Sequence, residues 1–558
     1  RGEIPELPQG ANIIDAKGGL IMPGYINPHS HAYCSLVRGY QIPGFVPDGF
    51  MDNLRNKWWF VDGQFTIEQC RSMAEVSFLE AVKNGVTTEF DHHASYGAVT
   101  GSLAQFSEAA EQIGLRTCLC FEVSDRAGKE AARQAVNENI RCIKEAKPNP
   151  IRKGMMGLHA SFTLSDETLA YAAERMESEN AYHIHIAECR EDEEDCQKRY
   201  ACSITKRLER FGMLGEKTLI AHGVYLDGEE LSLIKEKNAM VVTNPESNMN
   251  NGVDMPPWEE LCRRNIITGF GMDGFGHDVP TVWRIGNALY KYKTRDINSG
   301  WTQLPEMIFE GNAQIASTIF ETKIGKLQKG YQADVIVVDY QPPTPLDETT
   351  VNAHLLFGTG GKDTVTTMCN GRLLMKDRRM LTTDEEKIEA ESRKQAEKLY
   401  GKAKEYANLK SDEILLDLYC GTGTIGLTMA DSCKQLIGAE IVEDAVKDAN
   451  ENAKANGIEN ARFICGDASD AAFQLEKEGL KPDCVILDPP RKGCGEELVK
   501  TISRMSPSRV VYVSCDPATL ARDLKFFTEN GYTPKEITPC DMFSGTSHVE
   551  SVALIERN

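Results

Sequence analysis

The chain has 558 residues, 41% hydrophobic and 26% charged, and is too long for one hydrophobic core. Its 83 Asp and Glu outnumber 62 Lys and Arg, and the net charge of −21 argues against a basic surface for nucleic acid. This composition excludes wholesale disorder, and no apolar run approaches the length of about 18 residues that a membrane helix needs.

The 17 cysteines are scattered and include no CxxC pair. Several lie in apolar runs, such as Cys118 and Cys120 in LRTCLCFEV, which is typical of reduced thiols in the cytosol. The first residues, RGEIPELPQG, lack the charged and apolar regions of a signal peptide. These features predict a cytoplasmic protein without a membrane partner.

Short apolar strands alternate with amphipathic helical stretches over residues 23–317, as in NGVTTEF, LAQFSEAAEQIG and LRTCLCFEV. This alternation, with polar residues at strand ends, predicts an α/β fold of the (β/α)8 barrel type. Residues 1–22 and 318–384 instead contain strand and hairpin patterns without intervening helices. They predict a small flanking β-sandwich that is incomplete at its N-terminal end.

A charged, alanine-rich stretch at 385–408 predicts a helical connector. A second βαβ series follows, with strand patterns in ILLDLYC, QLIGAE, PDCVILDPP and RVVYVSC. Its glycine turn comes directly after the first strand, which indicates a Rossmann-like doubly wound sheet. We place this second domain at 397–558.

A possible metal site begins with His29 and His31 in IMPGYINPHSHAY. Residues i and i+2 of a strand project to the same side, so both imidazoles can reach one ion. Further donors follow other predicted strands: His185 and Glu188 in HIHIAE, His222 in LIAHG, and Asp273 in GMDGFG. Four strand ends thus offer the donor set of a divalent transition ion.

The strings PGYINPHSH, GVTTEFDHHAS, GLHASFTLSDETL, HIHIAE, NPESNMNN, GMDGFG and KGYQADVIVVD carry a resemblance to a known family. Residues 1–385 resemble the amidohydrolase superfamily in its aminohydrolase and chlorohydrolase branch, most closely the SsnA-type aminohydrolases. The resemblance implies one Zn²⁺ or Fe²⁺ per barrel, and a homodimer is a further expectation. The implied metal ligands are His29, His31, His185 and Asp273.

The implied reaction is hydrolytic removal of an amino group or another leaving group from an N-heterocycle. Water activated by the metal attacks the ring, and Asp273 accepts its proton. His222 orients the water or stabilises the oxyanion, while Glu188 protonates the ring nitrogen and the leaving group. No lysine stands where a carboxylated bridging ligand is required, which favours a single metal.

Other polar residues near these motifs allow two interpretations. His159 in GLHASF either faces the substrate or forms hydrogen bonds to polar groups of a loop, and we favour a substrate contact. Of the adjacent His92 and His93, at most one faces the pocket, because neighbours on a strand point to opposite sides. His183 is expected behind the metal ligands, and His277 is interpreted as a solvated loop residue.

In the second domain, ILLDLYCGTGTIG ends a strand at a tight glycine turn that lets a ligand approach the backbone. Glu440 closes the next strand, where a carboxylate can bind ribose hydroxyls. The absence of GxGxxG and of a Walker lysine argues against dinucleotide and ATP sites. These features favour another nucleoside cofactor.

The strings EKLYGKAKEYA, LDLYCGTGTIGL, ILDPPRKG, VYVSCDPATLARDL and DMFSGTSHVE resemble the catalytic domain of S-adenosylmethionine-dependent RNA uracil-5-methyltransferases, especially the 23S ribosomal RNA (RumA/RlmD-like) group. The resemblance implies that Cys515 is the nucleophile and Glu550 the base. A thiolate suits reversible addition to carbon 6 of uracil, which activates carbon 5 for methylation. The implied S-adenosylmethionine contacts are Tyr419, Thr424, Glu440, Asp467 and Asp488.

Two departures from the second family matter for function. Ala390 stands where that family has a cofactor-binding glutamine, and the barrel replaces its upstream RNA-binding domain. The alternatives are that both halves are active, that only one half is active and the methyltransferase part is a vestigial cofactor-binding module, or that the fusion is artefactual. The expected partners are an N-heterocyclic substrate at the barrel and uracil in ribosomal RNA at the C-terminal domain.

Overall fold

The computed structural model describes residues 13–38, 47–177, 180–392, 406–421, 423–427, 429–489, 493–514, 517–540 and 550–558. Within these ranges, no helix is both long enough and apolar enough to cross a lipid bilayer. The strands are numbered here in chain order from β1 to β21.

Two arcs of parallel strands form the barrel, and their order is β2-β3-β4-β5 and β6-β7-β8-β9-β10. Their bounds are Tyr25–Ser30 (β2), Val86–His93 (β3), Arg116–Phe121 (β4), Arg152–Gly154 (β5), Met156–Ala160 (β6), Tyr182–Ile186 (β7), Thr218–His222 (β8), Met240–Thr243 (β9) and Thr268–Phe270 (β10). Most of these strands are buried along their whole length, and β2 and β3 carry polar side chains such as Asn27, Glu89 and His92 in this buried setting.

The arcs are joined by isolated parallel bridges between Val123 and Leu158 and between Ser30 and Asp273. Only Met155 separates β5 from β6, so in the described part of the chain the two count as one of eight barrel strands. The predicted (β/α)8 fold is confirmed. Its closure brings the carboxyl ends of all the strands to one face.

Helices connect successive strands on the outside of the barrel. Several start at residues whose side chains accept backbone N–H groups, as Thr66 and Asp227 do in capping boxes. The helices of this part are Phe50–Asn53, Trp59–Asp62, Ile67–Lys83, Ser102–Ile113, Lys129–Ala146, Asp166–Met176, Arg190–Tyr200, Ile204–Arg210, Gly228–Lys237, Pro245–Asn250, Trp258–Arg263, Val279–Thr294, Gln303–Pro305, Asn312–Phe320 and Val351–Gly358.

A five-stranded antiparallel sheet accompanies the barrel, in the order β1-β11-β12-β13-β14. Its strands are Leu20–Pro23 (β1), Val335–Val338 (β11), Thr364–Cys369 (β12), Arg372–Lys376 (β13) and Arg379–Met380 (β14). The described residues supply one sheet here, and 1–12 lie outside them, so the two-sheet sandwich stays a prediction. Residues 385–392 of the predicted connector are helical, and 393–405 lie outside the described ranges.

The C-terminal part is a seven-stranded sheet in the order β17-β16-β15-β18-β19-β21-β20. Its strands are Ile414–Leu418 (β15), Gln435–Glu440 (β16), Ala461–Cys465 (β17), Cys484–Leu487 (β18), Arg509–Ser514 (β19), Tyr532–Cys540 (β20) and Glu550–Arg557 (β21). Its helices are Thr424–Leu427, Glu443–Ala455, Ala468–Lys477, Glu496–Met505 and Pro517–Glu529. The first five strands are parallel, and the chain order reverses between β15 and β18, which is where doubly wound folds bind ligands.

A buried ion pair joins the barrel to the small sheet. Arg116 begins β4, Asp334 directly precedes β11, and each side chain is 1% exposed. We expect Asp334→Ala to lower the free energy of unfolding by about 3–5 kcal/mol, because Arg116 is left as an unpaired buried charge. Urea unfolding measures this effect.

The matched control is Lys17→Ala, which removes an exposed ion pair with Asp377. Its urea midpoint should equal that of the wild type, since exposed pairs contribute little. Equal midpoints for Asp334→Ala and Lys17→Ala would contradict a structural role of the buried pair.

Candidate functional sites

The polar residues singled out in the barrel meet at the carboxyl face of its strands. His29 lies in β2 and His31 directly after it, while His185 lies in β7. His222 ends β8, and Asp273 follows β10 by three residues. The geometry therefore brings together residues that are far apart in the sequence.

The centre of this cluster is formed by His31, His185 and Asp273. Nε2 of His31 lies 3.2 Å from Nε2 of His185 and 3.2 Å from Oδ1 of Asp273. Oδ2 of Asp273 lies 3.7 Å from Nε2 of His222. In addition, ligand atoms of His29, His31 and Asp273 all lie within 4.8 Å of one another.

Hydrogen bonds behind the rings determine which nitrogen faces the centre. Nδ1 of His31 donates to the carbonyl of His92 at 2.6 Å, and Nδ1 of His185 donates to the carbonyl of His159 at 2.8 Å. A carbonyl oxygen can only accept, so in the neutral rings both Nε2 atoms carry lone pairs. Two lone pairs 3.2 Å apart repel each other unless a cation lies between them.

His29 completes the donor set. Its Nδ1 lies 2.9 Å from Nε2 of His183, and its own Nε2 is buried without a hydrogen-bond partner. Such an orphaned nitrogen costs free energy in a protein interior and is explained by a bound ion. The side chains present therefore fit a divalent metal with imidazole and carboxylate ligands.

Burial keeps His29 and His185 neutral. Desolvation lowers the pKa values of His29 and His185 well below their usual value, and the neighbouring imidazoles lower them further. The pKa of His183, behind His29, falls to about 3 for the same reasons. Neutral imidazole is the form that binds metals, so these rings are ready to act as ligands at neutral pH.

Glu188 and His222 lie beside the centre on its pocket side. Oε2 of Glu188 is 3.6 Å from Nε2 of His222, and Asn251 donates to Oε1 of Glu188 at 3.5 Å. Nδ1 of His222 lies 2.8 Å from Oδ1 of Asn248, so this ring is oriented by a side-chain amide. Burial raises the pKa of Glu188, which favours a carboxyl group that can donate a proton.

Left-handed backbone conformations occur at three of these strand ends. His222 has φ 71°, Asp273 φ 54°, and Ala187, which precedes Glu188, φ 52°. Residues with a side chain rarely adopt such angles, and they cluster at functional sites. Here the left-handed conformations turn the side chains at the ends of the strands towards the barrel axis.

A cavity opens from the cluster to the surface. His159 lines it, and its Nδ1 lies 2.8 Å from Oγ1 of Thr163. Sequence reasoning missed Glu122, which follows β4 and lines the same cavity. Its only sequence signal was its place after a buried strand.

His92 and His93 lie on different sides of β3. The ring of His92 is 4.7 Å from that of His185, whereas His93 packs against Phe106 with ring centroids 4.2 Å apart. Only His92 therefore borders the metal cluster. The interpretation of His277 as a solvated residue is wrong, because it is buried against carboxylates of the barrel and of a neighbouring helix.

Four residues expected to bind S-adenosylmethionine follow successive strands of the C-terminal sheet. Tyr419, Glu440, Asp467 and Asp488 lie at the carboxyl ends of β15, β16, β17 and β18. Glu440 accepts the N–H groups of Gly421 at 3.1 Å and Val442 at 3.0 Å, and it thereby supports the glycine turn. Carboxylates at this edge fit the hydroxyl and amino groups of a nucleoside cofactor.

The remaining expected residues of this part are described incompletely. Thr424 begins the short helix and Glu550 begins β21, but their side chains lie outside the described atoms. Cys515, the expected nucleophile, lies outside the described residues. Ala390 is exposed on the connector helix. The roles of these residues stay predictions.

Comparisons with known proteins agree with both resemblances. The model of the amidohydrolase family matches residues 20–374, and the chain belongs to this family. The model named tRNA (uracil-5-)-methyltransferase matches residues 367–558, so a methyltransferase domain follows the barrel. The relationships expected from the sequence are confirmed.

Curated relatives match the C-terminal part. A protein named uncharacterized RNA methyltransferase from Enterococcus faecalis is 54% identical over 163 residues, or 29% of this chain and 36% of the relative. One of the same name from Clostridium tetani is 48% identical over 161 residues, or 29% of this chain and 35% of the relative. The chain thus spans about a third of the length of these relatives.

Solved structures resemble the barrel part. An adenosine deaminase from Xanthomonas campestris with bound zinc has a TM-score of 0.60 and 19% identity, covering 68% of this chain and 86% of that chain. A triazine hydrolase from Arthrobacter aurescens has a TM-score of 0.61 and 19% identity, covering 69% and 89%. At this identity the likeness shows a common fold.

The neutral imidazole cluster predicts that zinc stabilises the protein. At a free zinc concentration 100 times the Kd, a single site adds about 2.7 kcal/mol to the free energy of unfolding. Differential scanning fluorimetry of metal-free protein with added Zn²⁺ should show a raised Tm, and His29→Ala should abolish the rise.

His354→Ala is the matched control, because His354 is a buried histidine bonded to Tyr340 outside the cluster. This variant should keep the response to zinc. A wild-type Tm that does not respond to Zn²⁺ would contradict a metal site in the barrel.

Proposed function

We propose that the barrel is a metal-dependent aminohydrolase, which removes an amino group or a similar leaving group from an N-heterocycle by hydrolysis. The observation that carries this proposal is the pair of Nε2 lone pairs of His31 and His185, which face each other beside Asp273. His29, with its unpartnered Nε2, supplies a third imidazole. Zn²⁺ or Fe²⁺, one per barrel, suits these donors.

In this mechanism Asp273 and Glu188 carry out the proton transfers. When bound, the divalent ion supplies the Lewis acidity that lowers the pKa of water towards about 7. Asp273 accepts the proton of the attacking water, and His222 stabilises the negative charge that develops. Glu188, whose pKa is raised by burial, protonates the ring nitrogen and then the leaving amine.

The lining of the cavity favours a planar ring without negative charge. Tyr33, Trp58 and Phe162 offer aromatic faces, and Glu122 offers a carboxylate. Among the described residues that line the cavity, none is Lys or Arg. The nearby Arg126 is paired with Asp62 and Glu122, so its charge is already balanced. His159 supplies a further polar contact for the ring.

Glu188→Gln tests the role of the acid. The metal-loaded wild type is screened over guanine, adenosine derivatives, cytosine and triazines, with ammonia release as the readout. For the ring that reacts, Glu188→Gln should lower kcat by about 10²–10⁴-fold with unchanged metal content, because the amide cannot donate a carboxyl proton. A phosphorylated form of the same ring should react poorly.

Glu191→Gln is the matched control, since Glu191 is exposed in the first turn of the following helix. It should keep the wild-type kcat. Failure of the metal-loaded protein to hydrolyse any ring would refute the aminohydrolase, and an unchanged kcat of Glu188→Gln would refute the role of Glu188.

For the C-terminal part we propose methylation of carbon 5 of uracil in RNA, with ribosomal RNA as the expected substrate. The family match and the relatives' printed names support this proposal. S-adenosylmethionine supplies the methyl group. The Cys515 thiolate adds to carbon 6, carbon 5 takes the methyl group, and Glu550 removes the carbon 5 proton so that the thiolate is eliminated.

Glu440→Ala tests the cofactor site. We expect the Kd of S-adenosylmethionine to rise at least about 10-fold, or about 1.4 kcal/mol, because the ribose loses an acceptor and the glycine turn loses its support. Isothermal titration calorimetry measures the Kd. Glu443→Ala, which changes a carboxylate in the first turn of the next helix, should bind like the wild type.

Equal Kd values for Glu440→Ala and Glu443→Ala would refute the role of Glu440. Binding without methyl transfer to ribosomal RNA, together with no adduct between Cys515 and an RNA that contains 5-fluorouracil, would refute the transferase.

A further inference from the structure

A buried carboxylate on β3 connects two ends of the turn that carries Asp273. Oε1 of Glu89 accepts Nδ2 of Asn27 at 3.0 Å and lies 3.2 Å from Nε2 of His277. Oδ1 of Asn27 in turn accepts the backbone N–H of Met272 at 3.1 Å. The residue before Asp273 and a residue four positions after it are thus tied to the same carboxylate.

This connection holds a backbone that would otherwise relax. Asp273 has φ 54° and Gly276 φ 123°. A left-handed conformation at a residue with a side chain costs of order 1–3 kcal/mol and persists only where surrounding contacts enforce it. Glu89 is fully buried, and His277 is 7% exposed. Glu89 therefore holds the turn from the protein interior, while His277 also lines the neighbouring cavity.

His277 lies between the carboxylates of Glu89 and Glu80. Its Nε2 is also 3.2 Å from Oγ of Ser77, and Asp91 of β3 is a further buried titratable group that interacts with it. Glu89 approaches from β3, and Oε2 of Glu80, on the helix Ile67–Lys83, lies 3.9 Å from Nδ1, which is an ion-pair contact rather than a hydrogen bond. Arg38 donates a hydrogen bond of 2.7 Å to each carboxylate oxygen of Glu80, including the Oε2 that faces His277. The adjoining cavity also carries the charged residues Lys83, Glu246, Asp278, Arg378 and Glu389.

The charge state of His277 follows from this setting. Burial alone would lower its pKa, but Glu89 and Glu80 outweigh burial and raise the pKa to about 9. His277 is therefore a cation at neutral pH, and its interaction with Glu89 is a charge-assisted contact with a fully buried carboxylate. This interaction is complete below the ordinary pKa of 6.5 and is lost as pH rises through about 9.

We propose that His277, through its contact with Glu89, is a positioning residue that holds the Asp273 carboxylate towards His31 and His222. His277 touches neither the cluster nor the substrate cavity in this account. It acts by fixing the turn between Met272 and His277. The inference rests on the proposed hydrolase, in which Asp273 is a metal ligand and accepts a proton from water.

The test is the rate at which zinc leaves the full-length protein for a chelator, which needs no turnover. For His277→Ala we expect zinc loss about 10–100-fold faster than for the wild type, the range found when residues behind metal ligands are removed. His277→Gln, which keeps a neutral donor, should lie between the two. His354→Ala removes a buried histidine elsewhere and should match the wild type.

The pH dependence separates positioning from a merely structural role. In the wild type, zinc loss should accelerate as pH rises through about 9, where His277 loses its proton. This inflection should be absent in His277→Gln, because the amide does not titrate. Equal rates for wild type and His277→Ala, or the same inflection in His277→Gln, would overturn the inference.

Loss of the proposed metal site and loss of the role of His277 would give different results. A wild-type protein that binds no zinc refutes the proposed metal site itself. A wild type that holds zinc, with a His277→Ala variant that holds it equally well, leaves the hydrolase standing and refutes only the role of His277.

Discussion

The repulsion between two unprotonated nitrogens is the constraint on which the barrel site depends. Nδ1 of His31 donates to the carbonyl of His92, and Nδ1 of His185 donates to the carbonyl of His159. In the neutral rings, both Nε2 lone pairs therefore point into the same space. Burial also keeps His185 unprotonated at neutral pH, because it lowers the pKa of this residue well below its usual value. A divalent cation between the two nitrogens would resolve the conflict, and Asp273 would balance part of its charge.

The rest of the fold serves to maintain this geometry. Barrel closure brings β2, β7, β8 and β10 to one face, and left-handed residues at the strand ends turn the side chains inward. Glu89 contacts His277, which follows Asp273, and is connected through Asn27 to Met272, which precedes it. Asn27, Glu89 and His277 do not line the cavity beside the cluster, so they can hold the turn without contacting a substrate there.

The sequence predicted the parts of this site that follow from local periodicity. His29 and His31 are two residues apart on a strand, and the apolar runs marked the other strands whose ends supply donors. The roles of Glu89 and His277 could not be predicted, because their contact joins β3 to a turn that follows β10. A histidine in a glycine-rich loop gives no sign of burial until the barrel is closed. Glu122 was missed because its place in the lining of the cavity likewise becomes visible only in the folded barrel.

In the C-terminal part, the glycine turn and the carboxylates after β16, β17 and β18 were predictable from strand order, since parallel strands place their carboxyl ends at one edge. The departure at Ala390 and the small share of the curated relatives that the chain covers leave methylation of RNA as a proposal. The barrel and this sheet have separate hydrophobic cores, so each site is built from the residues of its own part.

X-ray absorption spectroscopy at the zinc edge tests the central claim most directly. The account predicts a first shell of nitrogen and oxygen atoms at about 2.0–2.2 Å, with the outer-shell pattern of several imidazoles. Sulfur neighbours at about 2.3 Å would contradict it, because they would place the ion on cysteines such as Cys34 and Cys189 of the same cavity instead of on the histidine cluster.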